Sequence, residues 1–357
     1  MKKGILVLML ALLAVILIAC AGNDTPTTPA APSVEETPAA QESTPDTTAP
    51  EPEVPGDIHI GYVVNLMSHE WYQNICQGAE AQAGILGVKL SIADANNDVN
   101  TQLNACENFI AQGVDALVIT PVDPLALVPI INAAHEKGIP VITESVHTEG
   151  EDTFVGISDL DGGLNVGRWY AQYCLDNNVS PNILAVNVPA LQACNWRVEG
   201  FLNGLEEAGI DYSVVEVDGA GLKEQAISVS TDALTANSDI NCIFGINDDS
   251  ATGGMAAFLA SGLDPADLTV IGFGFEGQVG RNALLDDGPY KAACAMFPNF
   301  VGVALIDVAV AHINGNPPGV LVQTPTVAIT QDNFRQFYKP LGDDWEIDFD
   351  AVRALMG

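Results

Sequence analysis

From residue 58 onward two apolar patterns alternate along the chain. Ile58-His59-Ile60-Gly61-Tyr62-Val63-Val64 is a β-rich run, and from about Glu70 to Leu86 the apolar positions recur at helical spacing. Strand-like runs return at 88–92, 116–119 and 139–142, each separated from the next by a helix-length segment. Asp123 reads as an N-cap with Pro124 at the first helical position, and Gly138 stands where that helix is expected to stop. A second series follows the run 154–157 and a helix over about 161–176, with strands at 183–186, 213–217, 242–244 and 268–271. Strand starts are spaced by 30, 28 and 23 residues in the first series and by 30, 29 and 26 in the second.

Alternating strands and helices of this kind form a parallel sheet covered on both faces. The two series therefore predict an α/β chain with two doubly wound parallel-sheet lobes. Ligands of such sheets bind beyond the C-terminal strand ends, so two lobes facing each other place a ligand cleft between them.

The first 55 residues break this rhythm. Lys2 and Lys3 precede an apolar run over 5–19 that ends at Cys20, a basic-then-apolar leader too short for a comfortable membrane span. Leu17-Ile18-Ala19-Cys20 resembles the lipobox of bacterial lipoproteins, which implies a signal peptide over 1–20 and lipidation at Cys20; an ordinary secretory signal cut near Ala21 is the other reading. Residues 21–55 contain eight prolines and no Lys, Arg or aromatic residue. They are expected to form a disordered acidic tether, because they hold too little apolar surface to offset ordering.

Charge narrows the function. With 46 Asp plus Glu against 12 Lys plus Arg the net charge is −34, and no basic face is available for a nucleic acid. No G-x-S-x-G elbow, H-E-x-x-H, P-loop or C-x-x-C is present, and the histidines at 59, 69, 135, 147 and 312 have no metal-ligand spacing. The expectation is binding without turnover, with no cofactor and no metal. Gly272-Phe273-Gly274-Phe275-Glu276-Gly277 matches G-x-G-x-x-G but lies at the end of an α/β half, not in its first βα turn. The alternating oxygens from Asp94 to Gln102 lack the glycine and terminal acid of a calcium loop and fit a capped strand-to-helix loop better. Cys76, Cys106, Cys174, Cys194, Cys242 and Cys294 are widely spaced inside elements, as small buried hydrophobes would be; Cys174 and Cys194 are the pair to test for a bridge.

The strand ends carry the candidate chemistry. His69-Glu70-Trp71-Tyr72 follows the first strand, Glu144-Ser145 the fourth, and Asn195-Trp196-Arg197, Asn247-Asp248-Asp249 and Phe273-Gly274-Phe275-Glu276 follow strands of the second half. Planar aromatic and guanidinium groups beside amides and carboxylates suit a small molecule with one apolar face and several hydroxyls. Taken alone, Trp71 and Tyr72 also fit helix-start packing. Asn247 also fits a helix cap, with Asp248 the better cap candidate. Arg197 is read at a helix start, where the macrodipole disfavours a cation and gives weight to a pocket role.

At these residues the chain resembles the type I periplasmic binding proteins of the ribose and galactose group, the solute receptors of ABC importers. The resemblance spans about 57–335. It rests on the run at 61–64 before an aromatic pair, Gly113-Val114-Asp115-Ala116-Leu117-Val118-Ile119, Gly138-Ile139-Pro140-Val141-Ile142, Arg197-Val198-Glu199-Gly200-Phe201, Asn247-Asp248 and Val270-Ile271-Gly272-Phe273. It implies that Trp71 and Tyr72 stack on a ring and that Arg197 and Asn247 bind ligand. Other positions depart from the ribose pattern: His69 stands for an asparagine, Ser145 and Val146 for an Asp-Arg pair, Gly274 for an aspartate and Met296 for a glutamine. Glu144 and Glu276 stand beside lost acids, and Phe275 completes the candidate site. The pocket is thus expected to be less polar and more aromatic than a ribose site, which opens deoxy, methylated or nucleobase-bearing ligands.

The resemblance further implies a 2-1-3 strand order, which puts the helices of Cys76 and Cys106 on opposite sheet faces. It also implies lobes over 56–158 plus 297–326 and 159–296 plus 327–357, with three crossings near Ser158, Met296 and Thr326. The partners it implies are a small sugar-like ligand and ABC permease subunits. The protein is expected to be a monomer, held by its lipid on the extracytoplasmic face of the cytoplasmic membrane. A sensor lipoprotein that presents a sugar, nucleoside or autoinducer-type furanose to a chemoreceptor or histidine kinase is the alternative.

Overall fold

A computed structural model describes residues 58–342 and 344–356; Cys20, the leader and the tether lie outside the described residues. Along the chain come β1 (His59–Val64), α1 (Glu70–Leu86), β2 (Lys89–Asp94), α2 (Val99–Gln112), β3 (Ala116–Ile119), α3 (Pro124–His135), β4 (Val141–Glu144) and β5 (Thr153–Gly156). The second series comprises α4 (Asp159–Asn177), β6 (Asn182–Asn187), α5 (Gln192–Glu207), β7 (Ser213–Asp218), α6 (Lys223–Ala236), β8 (Cys242–Gly245), α7 (Asp248–Ala260), β9 (Thr269–Gly274), α8 (Gln278–Leu285) and β10 (Tyr290–Ala295). The chain ends with α9 (Pro298–Ile313), β11 (Leu321–Gln323), β12 (Val327–Ile329), α10 (Phe334–Phe337), β13 (Tyr338–Leu341), β14 (Asp344–Ile347) and α11 (Phe349–Arg353).

Two six-stranded sheets result, ordered β11-β5-β4-β3-β1-β2 and β12-β10-β9-β8-β6-β7, with β13 and β14 as a separate hairpin. All neighbours in the first sheet are parallel, and in the second only β12 runs antiparallel, against β10. The α/β reading with two parallel-sheet lobes holds, in 2-1-3 order in each sheet. Between the sheets the chain passes after β5, after β10 and after β11.

Alternation along each strand builds one apolar layer on either face. Ile60, Tyr62 and Val64 of β1 pack with α1 and α9, while Val63 joins the layer under α2 and α3. Cys76 and Cys106 accordingly lie in layers on opposite faces. In the second lobe Leu184, Ile243 and Val270 face α6 and α7, and Ile183, Phe244, Ile271 and Phe273 face α4 and α5. All six described cysteines are buried and free, Cys174 and Cys194 included.

Glycines set the closest helix crossings. A Cβ on Gly163 would overlap the Arg197 carbonyl and one on Gly200 that of Leu160, so α4 and α5 touch backbone to backbone. Gly78 and Gly302 do the same for α1 and α9, against the carbonyls of Asn299 and Ile75. Helix α9 is also shared between lobes. Phe297, Phe300 and Val303 at its start pack with Phe334 and Tyr338 in the second-lobe core, whereas Val301, Leu305, Ile306 and Ala309 belong to the first-lobe core. Arg353 of α11 donates from Nη1 to Asp307 Oδ2 on α9 at 2.7 Å.

Candidate functional site

The C-terminal strand ends and helix N-termini of both lobes surround one cleft of about 1090 Å³, at the upper edge of the range of small-molecule sites. Its first-lobe wall comes from the β1–α1 and β4–β5 connections. His69 caps α1, its Nδ1 accepting from the Trp71 amide at 3.2 Å, and so fixes where Trp71 and Tyr72 begin the helix. Trp71 packs against the apolar layers of both lobes and therefore lies at their junction. Tyr72 is partly buried, and burial together with the nearby Glu144 raises its hydroxyl above its ordinary pKa.

Glu144, at the end of β4, is buried at 1% exposure. It accepts from Thr120 Oγ1 at 3.1 Å and Ser145 Oγ at 2.5 Å. Burial outweighs those bonds and pushes its carboxyl up to about 7. Ser145 beside it sits in the left-handed region at φ 62°.

The second-lobe wall centres on Arg197. Its Nε donates to Asp159 Oδ1 at 2.7 Å and its Nη1 to the Ile246 carbonyl at 2.9 Å. The guanidinium lies 4.6 Å over the Phe273 ring, a cation–π contact out of bulk water. Burial works against its charge, but Asp159 offsets that and the net shift is upward. Arg197 is the sixth residue of α5, well past the first turn, so the macrodipole argument for its pocket role does not apply. The ion pair with Asp159, 38 positions away, is what aims it.

Asn247 is the N-cap of α7, its Oδ1 accepting from the Ser250 amide at 2.8 Å while its Nδ2 donates to the Gly221 carbonyl at 3.0 Å. This reverses the expectation that Asp248 would cap and leave Asn247 free. Asp248 instead accepts from the Tyr290 hydroxyl at 2.9 Å, and burial pushes it up to about 8 with Glu276 as a like-charged neighbour. Glu276 lines the cleft; burial raises its carboxyl to about 7, Arg197 opposing the rise and Glu70 adding to it. The lobes meet here too, Asn74 Nδ2 of α1 donating to the Glu276 carbonyl at 3.4 Å.

Nine of the ten candidate residues line the cleft: His69, Trp71, Tyr72, Glu144, Ser145, Arg197, Asn247, Glu276 and Met296. Phe275 does not. It takes a left-handed turn at φ 53°, and its ring packs edge-on against Phe334 and Tyr338 in the second-lobe core. Phe273, two residues earlier, is the ring of this segment that reaches the cleft. Sequence reasoning also passed over Asp159 and Glu70, which only the fold brings beside Arg197 and Gly277. Glu70, Glu144, Asp159, Asp248, Asp249 and Glu276 also line the cleft, beside the rings of Trp71, Tyr72 and Phe273.

The two motif matches have local structural roles. Gly272 and Gly280 leave room for the Tyr290 hydroxyl and the Asp248 carboxylate, and the segment holds acids where a phosphate would need donors. Asp98 caps α2 by accepting from Thr101 N at 2.7 Å, and Asp94 accepts from the amides of Met67 and Asn96.

Residues 60–317 match the model of the periplasmic binding protein domain. The chain belongs to that family. A curated relative, the ribose import binding protein RbsB of Bacillus subtilis, is 28% identical over 278 residues, covering 77% of this chain and 88% of its own. Among solved structures, the periplasmic ribose ABC transporter from Conexibacter woesei aligns with a TM-score of 0.68 at 25% identity, over 78% of this chain and 94% of its own. An ABC transporter solute binding protein from Mycobacterium smegmatis with bound glycerol gives 0.65 at 26% identity, over 80% and 98%. No helix among the described residues is long and apolar enough to cross a membrane.

Proposed function

We propose that this protein is the extracytoplasmic solute receptor of an ABC importer and binds a small sugar or sugar-like ligand by closure of its lobes. The observation that carries the reading is the makeup of the cleft: Trp71 and Tyr72 on one wall face Arg197 on the other, with carboxylates on both sides. Aromatic faces take the apolar side of a pyranose or furanose, and carboxylates and guanidinium take its hydroxyls. A ligand that touches both walls binds the closed form better than the open one, and that difference drives closure. Trp71, already in both apolar layers, is the contact made on closing. The named ligands of the related proteins, ribose and glycerol, agree with a polyol.

In this reading the lobes comprise 56–158 plus 297–326 and 159–296 plus 327–357. Cys20 carries the lipid and 21–55 tethers the receptor to the outer face of the cytoplasmic membrane, where it delivers ligand to permease subunits as a monomer.

The test is a thermal-shift screen against pentoses, hexoses, polyols and nucleosides. A ligand at a hundred times its dissociation constant adds about 2.7 kcal/mol, or roughly 4 °C for a body of about 300 residues. Trp71→Ala should abolish the shift. A screen with no hit in any class would sink the receptor reading.

A further inference from the structure

The cleft carries more negative charge than a neutral polyol requires, and its bonding pattern shows where the excess lies. Glu144 accepts from Thr120 and Ser145. Asp159 is paired with Arg197, and Asp248 takes the Tyr290 hydroxyl. Glu276 differs from these. Among the described residues no side chain donates a hydrogen bond to its carboxylate, and no Lys, Arg or His nitrogen lies within 4.0 Å of it.

Its surroundings deepen the imbalance. Arg197, the cation facing it, is committed to Asp159 and the Ile246 carbonyl. Arg281, the other guanidinium of this region, is buried; it donates to the Gly277 and Trp345 carbonyls and faces Asp344 at 3.8 Å. From the opposite lobe Glu70 reaches Gly277, where a Cβ would lie 2.6 Å from its Oε1. The lobe junction therefore presses a carboxylate of α1 toward the acidic end of β9. Glu70 and Glu276 thus lie close enough to repel each other across the lobe junction, and Arg197, the cation that opposes Glu276, is already paired with Asp159. A neutral ligand would leave that repulsion in place on closing, whereas a cation would relieve it.

Resting on the receptor reading above, we infer that the ligand is a hydroxylated ammonium, an amino-substituted sugar or cyclitol whose ammonium is held between Glu276 and Glu70 while its ring lies on Trp71 and Tyr72. Three donors on one compact charge suit two carboxylates from opposite lobes. Closure is then favoured by a salt link that forms only when the lobes meet.

The test is isothermal titration of the full chain at pH 7 with glucosamine, galactosamine and mannosamine, each beside its neutral parent hexose and its N-acetyl form, and with D-ribose. The expected result is at least one amine bound tenfold or more tighter than both its parent and its N-acetyl form. Glu276→Gln and Glu70→Gln should each erase that preference without lowering the melting temperature. Neutral sugars bound as tightly as the amines, or a preference that survives both variants, would overturn the ammonium site and leave the receptor reading standing. No binding by any amine or neutral sugar would overturn the ammonium site, and the receptor reading would fall with it only if the polyols and nucleosides of the wider screen also failed.

Discussion

Replacing Arg197 by Ala removes three interactions at once: the 2.7 Å bond to Asp159, the 2.9 Å bond to the Ile246 carbonyl and the stack on Phe273. The pair is well shielded, with side-chain exposures of 16% and 15%. Asp159 would be left partly buried without a counter-ion, and breaking such a pair costs about 3–5 kcal/mol when fully buried, so about 2–4 kcal/mol here. With an unfolding entropy of about 2.1 cal/mol/K per residue over roughly 300 residues, the melting temperature falls by roughly 3–6 °C. Affinity for the ligand should drop at least about tenfold, or 1.4 kcal/mol, since Arg197 is the one Lys or Arg lining the cleft among the described residues. A double-mutant cycle with Asp159→Ala, read by urea unfolding without ligand, separates the pair from its surroundings. Coupling of at least about 1 kcal/mol is expected. Additive effects of the two substitutions, or a melting temperature within one degree of wild type for Arg197→Ala, would refute the reasoning.

Two further predictions concern pH and packing. Glu144 and Glu276 are raised from 4.5 to about 7, and Asp248 from 3.8 to about 8. The folded state thus holds these protons longer than the unfolded one, and the stability they contribute is fully present below about pH 4 and lost as pH rises through 7 to 8. Glu276→Gln should therefore flatten the decline in ligand-free stability between pH 5.5 and 8.5, by up to about 2 kcal/mol; an unchanged slope in urea titrations would contradict the assignment. Gly302→Ala places a methyl against the Ile75 carbonyl and forces α1 away from α9. Overpacking of this kind costs about 1–3 kcal/mol, and because α1 carries Trp71 and Tyr72, calorimetry should show weaker ligand binding together with a lower melting temperature.

Long periodic segments were legible in the chain. The strand at 116–119 and the helix from Glu70 to Leu86 were read to the residue, and Asp123 caps α3 with Pro124 following it. Everything after residue 271 was poorer, because β11 and β12 are three-residue strands and the hairpin of β13 and β14 has no long pattern to recognise. Site residues were found where they sit at strand ends, since topology alone sends those to the cleft. Side-chain direction was not readable. Phe273 and Phe275 have the same parity along the strand, yet the second turns away because its backbone leaves the extended region immediately after Gly274. Asp248 reads as the better cap in the chain, yet Asn247 caps the helix, because Tyr290, 42 positions on, claims the aspartate.

Helix α9 gives the molecule its mechanical character. Because Phe297 and Phe300 at its start are embedded in the core of one lobe and Leu305, Ile306 and Ala309 farther along in the core of the other, the two halves cannot slide past one another without unseating Phe300 or Leu305. In the receptor reading, the freedom left to the lobes is rotation about the start of that helix, close to the Met296 crossing, which lines the cleft. A swivel placed there makes the displacement of each wall grow with distance from it, so the rim residues travel farthest for a given turn. The ends of the sheets that face outward, where another protein would touch both lobes, then register a small event at the pocket as a much larger change in their separation.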